Sequence, residues 1–192
     1  DLGIKIKYVI QKKPKGIAEA FLLTKKFIKN KKTTLILGDN IFFSKFENIV
    51  IRNDSATVVT TNVYNPSEYG VVERSKKNIK IYEKPKSTKS KEVITGLYFY
   101  DKEVLKYASQ IKPSSRGELE ISDINNIYLK NNKMNFYEIS SVDTWFDAGN
   151  YDTLLDTSYF IKSLESKRNL IFGCPFQSAY EQKLISKKKF DK

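Results

Sequence analysis

The chain has 192 residues, a formal net charge of +12, one cysteine and no histidine. The absence of histidine excludes Ser-His and Cys-His nucleophile systems and every His-ligated metal site. One cysteine can form neither an internal disulfide nor a cysteine-rich zinc site, and it suits a reducing compartment. We therefore expect a cytoplasmic protein whose chemistry uses carboxylates, Lys, Arg, hydroxyls and backbone N–H groups.

The positive charge does not by itself indicate a nucleic-acid partner. The lysines are spread along the chain in short groups such as KKPK, KNKK and SKKKF, which is typical of a solvated surface and also suits small phosphorylated substrates. A basic nucleic-acid-binding module would interleave aromatic and basic residues, and that pattern is not found. No apolar run is long enough to span a bilayer. We expect no nucleic-acid partner and no membrane partner.

The first third of the chain predicts alternating strands and helices. Residues 4–10 alternate apolar and polar side chains like a half-exposed strand, and residues 16–30 carry apolar side chains at helical spacing. Residues 33–37 predict a short, fully buried strand, residues 44–53 a helix, and the β-branched run 56–64 another strand. This strand–helix alternation indicates an α/β fold.

The rest of the chain completes the predicted fold. Strands are expected at 69–74, 78–85, 93–101 and 135–140, and helices at 102–111, 117–132, 151–167 and 175–186. The fold class is α/β, with an open mixed, mainly parallel sheet and helices on both faces. We expect residues 1–150 to form the core. Residues 151–192 should form a helical extension that packs on the same domain, with the helix from Tyr151 amphipathic.

Two aspartates follow short apolar stretches that predict strand ends. Asp39 comes after the buried stretch LILG, and Asp147 precedes Ala148 and Gly149. Ligands of open α/β sheets bind beyond the carboxyl ends of the strands, and two carboxylates together with substrate phosphates suit Mg²⁺. The alternative makes Asp39 a helix N-cap and Asp147 a turn residue, and spacing alone slightly favours it.

Further charged residues are candidates for binding an anion. Glu83 and Lys84 stand side by side before Pro85, and neighbours on a strand point to opposite faces. Arg116 precedes Gly117 in a segment rich in serine and glutamate, and arginine binds phosphate in a bidentate fork. Each of these fragments is weak by itself, because such neighbours are common by chance.

Taken together and in order, these segments resemble one family. The stretches QKKPKGIAEAF, LILGDNIFF, YGVVE, EKPK, ITGLYFYD, KPSSRGELEISDIN and WFDAGNYDTLLDTSYFI closely resemble the bacterial glucose-1-phosphate thymidylyltransferases over nearly the whole chain. The resemblance implies a Rossmann-like nucleotidyltransferase fold. It also implies that dTTP and glucose 1-phosphate are converted into dTDP-glucose and pyrophosphate with Mg²⁺ as cofactor. The product would serve dTDP-sugar synthesis, such as that of dTDP-rhamnose, and surface polysaccharide synthesis.

The same resemblance implies a role for individual residues. Asp39 and Asp147 match the magnesium ligands, and they are expected to be catalytic together with Lys84 and Arg116. The nucleotide would be bound by Gln11, Gly16 and Asp39. The sugar phosphate would be bound by Gly70, Glu83, Lys84, Ile94, Tyr98 and Arg116. For Ile94 and Tyr98, ordinary core packing is an equally good interpretation.

One signature of the family is not found in these 192 residues. Relatives carry a glycine-rich loop of the form G-G-x-G-T-R-L-x-P that cradles the triphosphate, whereas the eight glycines of this sequence are widely scattered. We therefore expect an amino-terminally truncated chain that lacks its first βα units and is inactive by itself. A homotetramer is expected at full length. The alternatives are a uridylyltransferase acting on the same sugar phosphate and a non-catalytic fragment.

Overall fold

The computed structural model describes residues 2–44, 46, 49, 51–76, 78–168 and 171–191. These residues divide into two compact units, Ile10–Asp147 and a second unit formed by Asp1–Val9 with Ala148–Lys192. None of the described helices combines the length and the apolar character needed to cross a bilayer. The expectation that residues 151–192 pack on the same domain stays a prediction.

The unit Ile10–Asp147 contains eight strands and four α-helices in its described residues. The strands are β1 (Thr33–Ile36), β2 (Asn40–Phe43), β3 (Ala56–Asn62), β4 (Gly70–Arg74), β5 (Ile79–Glu83), β6 (Glu92–Tyr100), β7 (Met134–Glu138) and β8 (Thr144–Asp147). The helices are α1 (Glu19–Leu23), α2 (Lys25–Ile28), α3 (Val104–Ala108) and α4 (Ile121–Lys130).

Strand β6 forms the centre of the main sheet. It pairs along one side with β3 and along the other with β4 and then β1, in the order β5-β4-β6-β3-β7. Its sequence EVITGLYFY is rich in β-branched and aromatic residues, which favour a paired and buried strand. Strands β2 and β8 form a separate two-stranded antiparallel sheet. The α/β class is therefore confirmed.

The expectation of a mainly parallel sheet is wrong for the described strands. Only β3 and β7 pair in parallel, and each other described pair is antiparallel. The reason is that an apolar run reports burial and not strand direction: β3 has one antiparallel and one parallel neighbour. Nor is β1 fully buried, because its residues alternate and the side chain of Ile36 is 59% exposed.

Several predicted boundaries also changed. The expected strand over residues 4–10 is wrong: these residues are exposed and none of them forms part of a strand, since an extended segment becomes a strand only when it joins a ladder of backbone hydrogen bonds. The expected helix over 16–30 breaks at Thr24, whose hydroxyl donates to Ala20 O at 2.6 Å. Of the ten residues in the expected helix over 44–53, four lie outside the described residues, and none of the other six is in an α-helix.

The hydrophobic core fills the space between the main sheet and helices α1, α3 and α4. Phe21 of α1 meets Tyr100 of β6 edge to face at 5.4 Å, and Tyr128 of α4 packs against both Tyr100 and Tyr107. All four side chains are buried. The helices therefore hold β6 in place, and β6 in turn carries part of the cavity described below.

The second unit contains three described helices: α5 (Tyr151–Arg168), α6 (Pro175–Glu181) and α7 (Lys187–Phe190). Helices were expected at α5 and α6, but the four-residue helix α7 was not. The apolar side chains Tyr151, Leu154, Leu155 and Tyr159 of α5 are all exposed. The expectation that α5 is amphipathic is wrong, because its apolar residues are spread around the helix and do not collect on one side.

Candidate active site

A cavity of about 190 Å³ lies within the unit Ile10–Asp147. Strands β4, β5, β6 and β8, the loop between β1 and β2, and the start of helix α4 all contribute to its wall. The cavity brings together seven of the residues predicted to form the site: Asp39, Gly70, Glu83, Lys84, Ile94, Tyr98 and Asp147.

The two aspartates reach this cavity because of a tight turn and a strand pairing. Gly38 and Asp39 form the turn between β1 and β2, and Leu37 N donates to Gly96 O at 2.9 Å, which fixes the start of the turn on β6. In the antiparallel β2–β8 pair, Asn40 lies opposite Asp147. Residues that are 108 positions apart in sequence thus line one cavity (147 − 39 = 108).

This donor set fits a magnesium ion. Mg²⁺ is usually held by one or two carboxylates, with water and substrate phosphates completing its shell. Asp39 and Asp147 supply two carboxylates, and among the described residues no group of three or more metal-binding side chains is found. Two carboxylates that line one cavity are compatible with a cation whose other ligands are water and phosphate oxygens.

Three further side chains surround the two aspartates, and we call the five residues Asp39, Asn40, Tyr69, Trp145 and Asp147 the aspartate cluster. Asn40 Nδ2 donates to Asp39 Oδ1 at 2.8 Å, and Trp145 Nε1 donates to Asn40 Oδ1 at 2.7 Å. Tyr69 meets the Trp145 ring edge to face at 5.4 Å and hydrogen-bonds Asp147. Burial, followed by the charges of Asp147 and Glu68, raises the pKa of Tyr69, so its hydroxyl keeps its proton.

Glu83 and Lys84 both line the cavity, although neighbours on a strand were expected to face opposite ways. The reason is that β5 ends at Glu83 and Lys84 adopts the left-handed region with φ +43°, while its N–H donates to Tyr69 O at 3.0 Å. Burial raises the pKa of Glu83, and a hydrogen bond from the Ser122 hydroxyl opposes that rise.

Arg116 does not line the cavity itself but contacts its wall through Glu83, at 4.0 Å. Its guanidinium forms a bidentate pair with Glu120, in which Nε donates to Oε1 at 3.1 Å and Nη2 donates to Oε2 at 2.8 Å. Ser114 also donates to Glu120, at 2.6 Å. We call Glu83, Arg116, Glu120 and Ser122 the glutamate cluster. Its carboxylates have a positively charged partner built into the protein.

Ile94 and Tyr98 belong to the core and to the cavity at once. Their exposed fractions are 5% and 4%, both lie in the main hydrophobic cluster, and both line the cavity. Burial, followed by the charge of Glu83, raises the pKa of Tyr98. The two interpretations that the sequence left open are therefore compatible.

Gln11 and Gly16 lie together but are not among the residues lining the cavity. Gln11 Nε2 donates to Gly16 O at 3.3 Å and to Glu19 Oε2 at 2.6 Å. Gly16 has φ +92°, and a Cβ there would lie 2.4 Å from Leu119 O, so only glycine fits. Ile17, the next residue, does line the cavity.

Sequence reasoning missed Asn40, Tyr69, Ser122 and Trp145, all of which line the cavity. Asn40 and Trp145 stood directly beside or near the predicted aspartates, and this proximity was the one signal that could have found them. Ser122 and Glu120 fell within the serine- and glutamate-rich segment around Arg116, but neither was assigned a role in the site.

The comparisons with known proteins identify the family of this chain. The family model described as nucleotidyl transferase matches residues 1–163. The chain therefore belongs to the nucleotidyl transferase family, a family of enzymes.

Two relatives of this chain share the name of one particular kind of nucleotidyl transferase. A glucose-1-phosphate thymidylyltransferase of Neisseria meningitidis is 36% identical over 198 residues, an alignment that covers 100% of this chain and 69% of the relative. A second glucose-1-phosphate thymidylyltransferase, from Mycolicibacterium smegmatis, is 36% identical over 195 residues, an alignment that covers 96% of this chain and 66% of the relative.

Solved structures share the fold. A Bacillus anthracis protein assigned as a glucose-1-phosphate thymidylyltransferase superposes with a TM-score of 0.73 at 38% identity, covering 89% of this chain and 68% of that one. A UDP-glucose pyrophosphorylase in complex with UDP-glucose superposes with a TM-score of 0.68 at 22% identity, covering 81% of this chain and 66% of that one. At this identity the similarity supports the fold alone.

Proposed function

We propose that the protein transfers a deoxythymidylyl group from dTTP to glucose 1-phosphate, giving dTDP-glucose and pyrophosphate. The main support for this proposal is that seven residues to which the family resemblance assigns a role line one cavity. The names and identities of its relatives support the same substrates.

The reaction makes one bond and breaks one bond. A phosphate oxygen of glucose 1-phosphate attacks the α-phosphorus of dTTP, and the bond from that phosphorus to the oxygen bridging to the β-phosphorus breaks. Pyrophosphate leaves with that bridging oxygen and its electron pair. The protein needs to supply little covalent chemistry, because positioning and charge neutralisation account for most of the catalysis of phosphoryl-type transfer.

The sugar phosphate is held beside the glutamate cluster. Glu83 accepts hydrogen bonds from sugar hydroxyls, the backbone of Gly70 contacts the sugar, and Ile94 and Tyr98 form the apolar wall. Gly70 is suited to this role because a Cβ there would lie 3.1 Å from Ser122 Oγ and would crowd the cavity. Lys84 and Arg116 hold the phosphate. Arg116 retains free N–H groups for it, because its fork to Glu120 uses only Nε and one N–H of Nη2.

The nucleotide base is read by Gln11 and the backbone of Gly16. Because Gln11 Nε2 already donates to Glu19, base binding exchanges this exposed hydrogen bond for one to the thymine edge. Ile17 connects that segment to the cavity wall.

Asp39 and Asp147 would hold Mg²⁺ in this cavity. A bound Mg²⁺ supplies neutralisation of the charge that the phosphates bring together. The chain's own contribution is to present two carboxylates from adjoining strands at one place, which the β2–β8 pairing supports.

Wider aspects of the function rest on the relatives' chemistry. We propose that the product enters dTDP-sugar synthesis, such as that of dTDP-rhamnose, for surface polysaccharides. We also propose a cytoplasmic location and a homotetrameric assembly, for which the exposed apolar side chains of α5 offer a surface.

The test is the product and the nucleotide preference of the protein expressed from the complete reading frame. We expect dTDP-glucose, identified by ³¹P NMR, and a higher kcat/KM for dTTP than for UTP. Because a single methyl group separates the two bases, the preference should be roughly 10- to 200-fold. A higher kcat/KM for UTP would establish the uridylyltransferase instead, and no nucleotide sugar with either would overturn the proposal.

A further inference from the structure

Asn40 contacts both segments that carry the cavity's aspartates. Its amide nitrogen donates to Asp39 Oδ1 at 2.8 Å. Its backbone lies opposite Asp147 in the β2–β8 pair. Its amide oxygen accepts the indole N–H of Trp145, two residues before Asp147, at 2.7 Å. Asn40 is thus bonded to Asp39 directly and lies beside Asp147 through the sheet.

The amide oxygen of Asn40 has a second donor, which settles the orientation of the amide. Gly96 N donates to Asn40 Oδ1 at 2.8 Å, so this oxygen accepts two N–H groups and both of its lone pairs are used. The reverse orientation would place the amide N–H₂ against two N–H donors. The amide nitrogen must therefore face Asp39.

Gly96 also fixes where this amide lies. A Cβ on Gly96 would be 2.5 Å from Asn40 Cγ, 2.6 Å from Oδ1 and 2.7 Å from Nδ2, so the amide occupies the space that any other residue at 96 would fill. The amide thus packs directly on the central strand β6. This close contact holds the Asn40 side chain in one position rather than leaving it free to rotate.

We propose that Asn40 is a positioning residue that orients the Asp39 carboxylate and sets its place relative to Asp147, so that both can bind one divalent cation. This inference rests on the cation role given to the two aspartates in the proposed function. Groups that hydrogen-bond a metal-binding carboxylate orient it, and their removal commonly costs roughly 10- to 100-fold in metal affinity or activity.

Trp145 gives a local readout of cation binding that does not depend on catalysis. The protein from the complete reading frame is labelled with 5-fluorotryptophan, and a Trp145→Phe variant identifies the ¹⁹F resonance of residue 145. Titrated Mn²⁺ bound at Asp39 and Asp147 should broaden this resonance, because all three residues line the same cavity. In Asn40→Leu, which has no hydrogen-bonding amide, we expect the Mn²⁺ concentration for half-broadening to rise at least about tenfold.

Asn62 provides a matched control. It is also an asparagine whose Nδ2 donates to a carboxylate, Glu138 Oε1 at 2.7 Å, but neither residue lines this cavity. Asn62→Leu should leave the half-broadening concentration unchanged. If Asn40→Leu also leaves it unchanged, or if Asn62→Leu raises it equally, the proposal is overturned.

Asn40→Asp tests the same idea with a smaller change, and it carries the test if thermal unfolding shows that Asn40→Leu does not fold. The new carboxylate can still accept the N–H groups of Gly96 and Trp145, but it replaces the donor facing Asp39 with a like charge. The two hydrogen bonds that tie residue 40 to Gly96 and Trp145 are therefore kept, and only the contact with Asp39 is changed. We expect kcat to fall at least about tenfold with the KM for glucose 1-phosphate unchanged. An unchanged kcat would overturn the proposal.

The two readouts separate this inference from the proposed function. If the wild-type protein forms no nucleotide sugar but Mn²⁺ still broadens Trp145, and Asn40→Leu weakens that broadening, the proposed reaction fails while the role of Asn40 stands. If dTDP-glucose forms and Asn40→Leu binds Mn²⁺ like the wild type, the role of Asn40 alone fails.

Discussion

The aspartate cluster and the glutamate cluster adjoin one cavity but hold their carboxylates in different ways. In the aspartate cluster, Asp39 accepts from the Asn40 amide and Asp147 hydrogen-bonds the Tyr69 hydroxyl, and both partners are neutral. In the glutamate cluster, Glu120 forms an ion pair with the Arg116 guanidinium, which also lies 4.0 Å from Glu83. A neutral donor orients a carboxylate without cancelling its charge, whereas a guanidinium does both.

This difference predicts that the two clusters have different roles in the reaction. Carboxylates oriented by neutral groups suit a cation that arrives with the nucleotide and acts during the chemical step. A guanidinium held in place by Glu120 suits the binding of a phosphate already present on the sugar. Substitutions in the aspartate cluster should therefore lower mainly kcat, and substitutions in the glutamate cluster should change mainly the KM for glucose 1-phosphate.

The largest effect is expected from removing both aspartate charges. In Asp39→Asn/Asp147→Asn, we expect kcat for pyrophosphate release by the complete protein to fall on the order of 100- to 1000-fold, the scale of losing a charge-stabilising group. Asp54→Asn, at an exposed position away from the cavity, should retain the wild-type kcat. If the double variant keeps a kcat close to that of the wild type, the aspartate cluster does not bind a catalytically important cation.

A smaller effect is expected from Arg116→Lys. The ammonium group of lysine cannot hold Glu120 with two parallel hydrogen bonds and still present further N–H groups in a fixed plane. We expect the KM for glucose 1-phosphate to rise roughly tenfold, equivalent to about 1.4 kcal/mol, with a smaller change in kcat. Arg52→Lys, at an exposed site outside the cavity, is the matched control. A drop in kcat without a change in KM would contradict the division between the clusters.

The sequence predicted best the features that depend on local pattern. The strands from β3 to β7, helix α4 and the turn at Gly38 and Asp39 follow from hydrophobic pattern and turn residues within about ten positions. That Asp39 and Asp147 share a cavity also followed, but from the family resemblance, which named both residues. The strand-end argument assumed parallel strands, whereas the two residues come together through the antiparallel β2–β8 pair.

What the sequence could not predict depends on contacts between distant residues. The Trp145–Asn40 hydrogen bond joins residues 105 positions apart, and the Asn40–Gly96 contact joins residues 56 apart. The direction of strand pairing also depends on which strands become neighbours. Lys84 reaches the cavity only because its backbone adopts φ +43°, which its position before Pro85 did not predict. Such features are decided when the chain packs, and local propensity does not contain them.

The smallest expected effect is a gain in stability from Glu83→Gln in the absence of substrates. Burial raises the pKa of Glu83, so the folded state holds the proton of this carboxyl more tightly than the unfolded state does. Above both pKa values, ionised Glu83 therefore lowers the stability of the folded state, and below the unfolded value of about 4.3 that cost disappears. Glutamine keeps an oxygen that can accept from Ser122 and carries no charge.

Glu83→Gln should accordingly raise Tm at neutral pH, and its advantage over the wild type should shrink as the pH falls towards 4. Glu118→Gln is the comparison, since Glu118 also lies beside Arg116, at 3.7 Å, but is much more exposed. It should change the free energy of unfolding by no more than about 0.5 kcal/mol. If Glu83→Gln instead lowers Tm at neutral pH, Arg116 and Ser122 stabilise the ionised carboxylate by more than its burial costs. The glutamate cluster would then be preorganised for charge even before the sugar phosphate binds.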